Sequence, residues 1–267
     1  MLDLKKLINT CSLYNLHSHT QFCDGNANME DFVSAAVKSG FEDYGFSPHS
    51  PVLIDSPCNM KFSDVEIYLS EFNRLRGIYS DRINLYASME IDYMGEGWGP
   101  SNEYFRTLPL DYRIGSVHFI PSPYGYIDVD GRYSAFKEKM SRYFDNDIEH
   151  VVRSFYEQTM QMIEKGGFDI IGHFDKIGHN AGHFKENIEC EDWYYKLIVR
   201  TLEAIKEHNL IVEINTKALA DHKRLFPNLK YFEMLRKYEI PVLINSDAHQ
   251  PELINAGRSE AAGYFFG

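Results

Sequence analysis

The sequence predicts an α/β fold with a parallel sheet, and three observations carry that prediction. Short apolar runs alternate with helical stretches along the 267 residues, the order that builds parallel strands through helical crossovers. The runs are apolar nearly throughout, as in strands covered on both faces. Each also delivers a polar residue of ligand type at its C-terminal end, where α/β barrels assemble their sites. Seven such coincidences are hard to attribute to packing.

The first run, Leu13-Tyr14-Asn15-Leu16, leads into His17-Ser18-His19. On a strand, residues two apart face the same way, so the two imidazoles project together and can share one metal ion. Alone the motif is weak, because two ordinary histidines near a strand end would look the same. Residues 21–27 form a loop holding Cys23, Asp24 and Gly25. Asn28 caps a helix over 29–39, and Gly40 stops it. Asp43-Tyr44-Gly45-Phe46-Ser47 is the second strand and delivers His49. Ser63 and Glu66 have the spacing of a capping box for a helix to about Tyr79. Residues 83–89 read as a strand ending at Glu90, and 112–117 as one ending at His118. The segment 119–147 is rich in Pro, Gly, Tyr and charge; it reads as an insertion over one end of the domain, either a lid or a structural loop. A helix over about 148–165 stops at Gly166-Gly167, and 168–172 is a strand ending at His173. A helix over about 193–208 leads to the run 210–214, which ends at Asn215. A helix over about 228–238 leads to 241–246, which ends at Asp247 and His249.

The length suits one domain spanning 1–267, since barrels of about 250 residues commonly fold as a unit. No repeat, low-complexity tract or Ser/Gly linker divides it. Hydrophobic residues make up 44% and charged residues 25%, enough for a sizeable core in a soluble protein. The formal net charge of −12 argues against nucleic acid and anionic membranes as partners, which need a basic face. Bound metal ions can still create a local cationic site. Cys11, Cys23, Cys58 and Cys190 show no Cys-x-x-Cys spacing, so a reducing cytoplasm is expected rather than a disulfide framework. The N-terminus lacks an apolar signal region, and no run reaches the roughly 18 apolar residues of a membrane span. Neither a P-loop nor a Gly-x-Ser-x-Gly elbow is present.

The strand-end residues are His17, His19, Asp24, His49, Glu90, His118, His173, Asp247 and His249. One zinc takes about three or four ligands, so this set suits two or three ions. Glu90 is the strongest candidate for a carboxylate bridging a pair about 3.5–4 Å apart. Three divalent ions with three carboxylates would keep roughly +3, enough to draw an anion into an acidic protein. His150 and His208 lie in helical stretches and read as structural or surface residues, whereas His179 and His183 could touch a substrate. Cations on strand-end loops that could meet a phosphate are Lys61, Lys176, Lys217, Arg224 and Arg258; each also reads as an ordinary solvated charge.

At these residues the sequence resembles the PHP family, named for polymerase and histidinol phosphatase. The matching pieces are His17-Ser-His19, His49 after a strand, Met89-Glu90-Ile-Asp92-Tyr93, Ile114-Gly-Ser-Val-His118, Ile171-Gly-His173-Phe-Asp175, Glu213-Ile-Asn215-Thr216 and Ser246-Asp247-Ala-His249. Each is weak alone, but together they span nearly the whole chain in the family's order. Several look like the histidinol-phosphatase branch, although Asp24 stands in a region where that branch often carries a histidine.

The resemblance implies a distorted seven-stranded (β/α)7 TIM-like barrel holding up to three divalent metal ions (Zn, Mn or Fe). One ion would take His17, His19, Glu90 and Asp247. A second would take Glu90, His118 and His173, and a third Asp24, His49 and His249. The implied activity is phosphomonoester hydrolysis on a small phosphorylated metabolite, in particular L-histidinol phosphate in histidine biosynthesis. Glu90, Asp247 and His249 would be the catalytic residues, with His249 or a metal-bound water as proton donor to the leaving group. Lys61, Lys176, Asn215, Arg224 and Arg258 are the expected substrate contacts, and Asp55, Asp92 and Glu213 the candidates for the substrate amine. Two other readings of the family stay open: a nuclease or nucleotide phosphoesterase, and a non-catalytic regulatory domain. Amidohydrolases also use His-x-His, but they usually want a lysine ligand at a strand end, and none is well placed.

Overall fold

In the computed structural model, which describes residues 2–8 and 13–267, the apolar runs form short parallel strands joined by helices. Cys11 lies outside the described residues. The chain opens with α1 (Leu4–Ile8), β1 (Tyr14–Asn15), α2 (Met29–Lys38), β2 (Asp43–Phe46), α3 (Val65–Ile78) and β3 (Asn84–Ala87). It continues through β4 (Glu90–Asp92), α4 (Glu103–Thr107), β5 (Ile114–Ser116), the hairpin β6 (Phe119–Ser122) and β7 (Gly125–Asp128), and α5 (Tyr133–Tyr143). Then come α6 (Ile148–Lys165), β8 (Ile170–Ile171), α7 (Ile177–Phe184), α8 (Asp192–Glu207) and β9 (Ile211–Asn215). The last elements are α9 (Leu219–His222), α10 (Phe232–Lys237), β10 (Val242–Asn245) and α11 (Arg258–Phe266).

The parallel strands fall into two sheets, ordered β1-β2-β3 and β10-β9-β8-β5-β4. Two parallel bridges join their ends, Ser18 to Ala248 and His49 to Glu90. The run over 83–89, predicted as one strand ending at Glu90, divides here. Residues up to Ala87 pair with β2, while Glu90 begins β4 and pairs with β5. The apolar run cannot reveal that break, because it reports burial and not which strand a residue pairs with.

Helix α6 shows how the crossovers are specified. Asp147 caps it by accepting from the His150 backbone N–H at 3.0 Å, and Gly166 ends it at φ 67°, a conformation glycine adopts without strain. Val151, Val152, Phe155, Tyr156, Met162 and Ile163 recur on one face and are buried; that face packs on α8 and the sheet. A second core gathers Phe32, Phe46, Tyr68, Phe72 and Leu75 around α2, α3 and β2. A third joins Leu16, Tyr112, Ile114, Ile170, Ile211 and Leu243 with Leu4 and Leu7 of α1. Its members come from successive strands of both sheets, so their side chains meet in a common interior.

Three expectations need correction. Ser63 does not cap α3: its Oγ donates to Asp64 Oδ1 at 2.9 Å, and a 3-10 turn over Phe62–Asp64 precedes the helix. Segment 119–147 is not a bare loop but the β6–β7 hairpin followed by α5. Arg258 is not available to a phosphate. It is 7% exposed, its Nε donates to the Ile244 carbonyl and its Nη1 to Asn255 Oδ1, both at 3.0 Å. The guanidinium lies over the rings of Tyr14 and Phe41. Burial lowers its pKa to about 10, so it stays charged at neutral pH. Arg258→Met should therefore destabilise the fold by about 2–4 kcal/mol, through lost hydrogen bonds, lost ring contacts and an unpaired Ile244 carbonyl. Denaturant unfolding measures this; an unchanged midpoint would contradict a structural role.

Candidate functional site

The nine strand-end residues converge. Glu90 is the hub: its two carboxylate oxygens lie 3.3 Å from His17 Nε2, 3.0 Å from His49 Nδ1, 2.7 Å from His173 Nε2 and 3.6 Å from His118 Nε2. His17 Nε2 and His19 Nε2 are 3.1 Å apart, as the strand spacing requires. His19 Nε2 is 3.0 Å from Asp247 Oδ1, and His249 Nε2 is 3.2 Å from Asp24 Oδ1. Among the described residues, donor atoms close enough to share an ion form three groups: His19, Asp24, His49 and His249; His17, His19 and Asp247; and His49, Glu90 and His118.

Several of these atoms are buried without a hydrogen-bond partner: Asp24 Oδ1, His49 Nδ1, Glu90 Oε2 and His118 Nε2. Buried polar atoms are almost always satisfied in native proteins, and an ion is one standard reason for exceptions. The donor set, imidazole with carboxylate, is the kind that Zn, Mn and Fe accept. His173 and Asp247 sit at φ 24° and 49°. Such non-glycine backbone costs on the order of 1–3 kcal/mol per residue, and it is tolerated where function over-determines the geometry.

A second layer of hydrogen bonds aims these side chains. Glu213, fully buried, accepts from His17 Nδ1 at 2.6 Å, Asn245 Nδ2 at 3.0 Å, Asn215 Nδ2 at 3.1 Å and the His173 N–H at 3.3 Å. Asp92 accepts from His118 Nδ1 at 2.7 Å. Asn215 donates to Asp247 Oδ2 at 3.0 Å, and Ser116 Oγ to Glu90 Oε1 at 2.7 Å. Such partners fix the tautomer and ring orientation of a ligating histidine. Asp92 and Glu213 are therefore committed to imidazoles and are not free to receive a substrate amine. Asp55 is exposed on the loop after His49.

Charge follows geometry. Burial would strip the proton from His17, but Glu213, Asp247 and Glu90 outweigh it and hold the pKa well above the ordinary value. Burial likewise opposes the His118 proton, while Asp92 and Glu90 push its pKa up to about 9. His19 goes the other way, lowered by burial and by His249 and His49. Burial favours a protonated Glu90, yet His17, His49 and His118 keep it ionised well below the usual carboxylate range.

Of the expected phosphate contacts, Asn215 lies at the cluster, donating to Asp247, and Lys176 sits on the turn after His173, its backbone N–H donating to the His173 carbonyl at 2.8 Å. Lys61 is exposed. Arg224 is held by Asp175 at 3.2 Å and Glu189 at 2.9 Å, so its charge is already matched. Lys217 Nζ reaches His249 Nε2 at 3.1 Å and Asp247 Oδ1 at 3.4 Å. Burial works against the Lys176 ammonium, but Asp130, Asp247 and Glu90 hold its proton above the usual lysine range. His179 meets His183 edge-on and His222 at a tilt, and the three line a separate cavity of ≈310 Å³ next to Arg224. His150 and His208 are exposed, on α6 and at its counterpart's end beyond α8. The sequence reading missed Asp130 altogether: no local pattern ties it to Lys176, 46 residues on.

An α/β framework with convergent histidines and carboxylates at its strand ends is the arrangement that metal-dependent hydrolases use. The chain belongs to the PHP family, whose PHP domain matches residues 15–217. It is 26% identical over 252 residues to the histidinol-phosphatase of Bacillus subtilis, covering 88% of this chain and 92% of that protein. The crystal structure of HisK from Listeria monocytogenes superposes with TM-score 0.80 at 20% identity, covering 92% of this chain and 99% of that one. Histidinol phosphate phosphatase from Lactococcus lactis, crystallised with Zn, L-histidinol and phosphate, gives 0.71 at 19% identity, covering 96% and 93%. Among the described residues no helix is long and apolar enough to cross a membrane.

Proposed function

We propose that this chain is a metal-dependent phosphomonoesterase that hydrolyses L-histidinol phosphate to L-histidinol and phosphate in histidine biosynthesis. The observation that carries the reading is Glu90, buried at the centre of five imidazoles with Oε2 left without a hydrogen bond. The histidinol-phosphatase name of the Bacillus subtilis relative supports the substrate.

In this reading the nine strand-end residues hold two or three divalent ions, Zn, Mn or Fe, with Glu90 shared between sites. Bound there, the ions would lower the pKa of water to supply a nucleophile and would neutralise charge on the phosphoryl oxygens. The chain's own residues do the positioning. Glu213 and Asp92 set the tautomers of His17 and His118, Asn215 orients Asp247, and Ser116 fixes one oxygen of Glu90. His249, 15% exposed, is one candidate to give a proton to the departing alkoxide. Residues 1–267 act as one PHP unit, and the Ser18–Ala248 and His49–Glu90 bridges support closure of the two sheets into a distorted seven-stranded barrel. A cytoplasmic location goes with the biosynthetic role.

Metal uptake should release protons, because ions must displace those held on His118 and His17. With His118 raised to about 9, affinity should increase as pH rises from about 6 towards 9 and weaken as pH falls. Calorimetry in buffers of different ionisation enthalpy measures the release; a pH-independent affinity with no released proton would contradict it.

The functional test compares kcat/KM of the metal-loaded protein on histidinol phosphate, an aryl phosphate, a nucleoside monophosphate and single-stranded DNA. Histidinol phosphate should lead, and DNA should be poor, since a net charge of −12 gives little counterion-release affinity. Preference for DNA would overturn the phosphatase reading. Equal, slow rates on every small ester would remove the biosynthetic assignment.

A further inference from the structure

An ion pair joins the insertion after His118 to the turn after His173. Lys176 Nζ lies 2.8 Å from Asp130 Oδ2, with side-chain exposures of 14% and 31%. The turn carrying Asp130 is pinned from several directions. Val129, 3% exposed, donates its N–H to the His118 carbonyl at 2.9 Å. The Asp130 N–H donates to Asp128 Oδ1 at 2.8 Å. Asn180 of α7 donates Nδ2 to the carbonyls of Val129 and Gly131, at 3.4 and 3.2 Å. A carboxylate on so fixed a turn holds in one place an ammonium that would otherwise wander on a flexible four-carbon stem.

Both ends of the pair are tied to residues of the cluster: Lys176 donates its backbone N–H to the His173 carbonyl at 2.8 Å, and Asp130 follows Val129, whose N–H is bonded to the His118 carbonyl. The other candidate cations do not duplicate it. Lys61 is exposed, Arg224 lines the separate cavity beside His179, Arg258 is buried behind β10, and Lys217, 42% exposed, lies on the His249 side.

We propose that Lys176 is the cation that receives the substrate's phosphate beside the metals, and that Asp130 is the positioning residue that holds its ammonium for that contact. The inference rests on the phosphatase reading for its substrate class. A preplaced charge matches a phosphate oxygen without reorganising when the anion arrives. Asp130, on the turn that follows β7, also makes the insertion part of the anion site.

The test uses the full-length, metal-loaded protein, with inorganic phosphate binding by calorimetry and steady-state kinetics on p-nitrophenyl phosphate. Lys176→Met should weaken phosphate about 10–100-fold and raise KM in step, with a smaller change in kcat and unchanged metal content. Lys176→Arg should restore part of the loss. Asp130→Asn should weaken phosphate about 3–10-fold, and the double variant should be no weaker than Lys176→Met alone, because Asp130 acts only through Lys176. Unchanged phosphate affinity in a folded, metal-replete Lys176→Met protein overturns the proposal, as do additive effects in the double variant. If Asp130→Asn instead loses only amine-bearing esters while phosphate affinity holds, Asp130 contacts the leaving group and its positioning role is refuted. Should Lys176→Met fail to fold, Lys176→Arg and Asp130→Asn decide the matter by the same phosphate measurement. A wild-type protein that binds phosphate but cleaves no ester would sink the phosphatase reading, and the phosphate affinities of the variants would still judge Lys176.

Discussion

Glu90→Gln is expected to leave a folded protein that retains little metal and loses on the order of a thousandfold in kcat/KM. The fold should survive because β4 is held by its backbone ladder to β5, from Glu90–Ile114 to Asp92–Ser116, and not by the side chain. The site should not survive. Glu90 is 1% exposed and faces five imidazoles, with Ser116 Oγ donating to Oε1. A glutamine removes the negative charge that balances His17, His49 and His118. It also turns an amide N–H₂ towards those rings or towards the Ser116 hydroxyl. Elemental analysis, circular dichroism and turnover on a small phosphate ester together decide the matter. Unchanged turnover with unchanged metal content would refute the central position of Glu90.

The cluster of histidines and carboxylates was legible in the sequence because its signal repeats. All but Asp24, which lies in the loop after His19, follow an apolar run, and the β-strand period puts His17 and His19 on one face without tertiary information. The positions of His118, His173 and Asp247 follow from the same rule. What could not be read are pairings between distant residues. Glu213 meets His17 across 196 positions and Asp92 meets His118 across 26, so both looked like free carboxylates near the mouth. Arg258 looked like any loop cation, and only the packing of Tyr14 and Phe41 against it gives it a structural place. The end of β3 at Ala87, with Glu90 starting a strand of the other sheet, is invisible for a similar reason. Apolar pattern reports burial and not which neighbour a strand pairs with. Helix α7, with two glycines and two histidines in eight residues, carries too little periodicity to announce itself.

Glu213→Gln should be the most damaging substitution outside the ligand set. Four hydrogens point at this fully buried carboxylate, from His17 Nδ1, Asn215 Nδ2, Asn245 Nδ2 and the His173 backbone. A carboxylate accepts all four; an amide of the same shape accepts at one end only and sets its own N–H₂ against two donors at the other. Leaving buried donors unmatched costs about 1–3 kcal/mol each, so the metal-free protein should lose roughly 2–5 kcal/mol. The sign with pH follows from the lowered pKa of Glu213. Burial raises it, but His17 outweighs burial and keeps it below the ordinary glutamate value. The stability it contributes is therefore present above the unfolded-state pKa and is lost as pH falls through the folded one. The gap between wild type and variant should accordingly be largest near neutrality and should narrow in acid. Metal affinity should drop about 10–100-fold, because His17 loses the partner that fixes its Nδ1–H tautomer and points Nε2 at the cluster. Denaturant unfolding of the metal-free proteins at neutral and acid pH, followed by metal titration, measures both effects. A variant as stable as wild type at neutral pH, with wild-type metal affinity, would show that His17 is oriented by the strand alone.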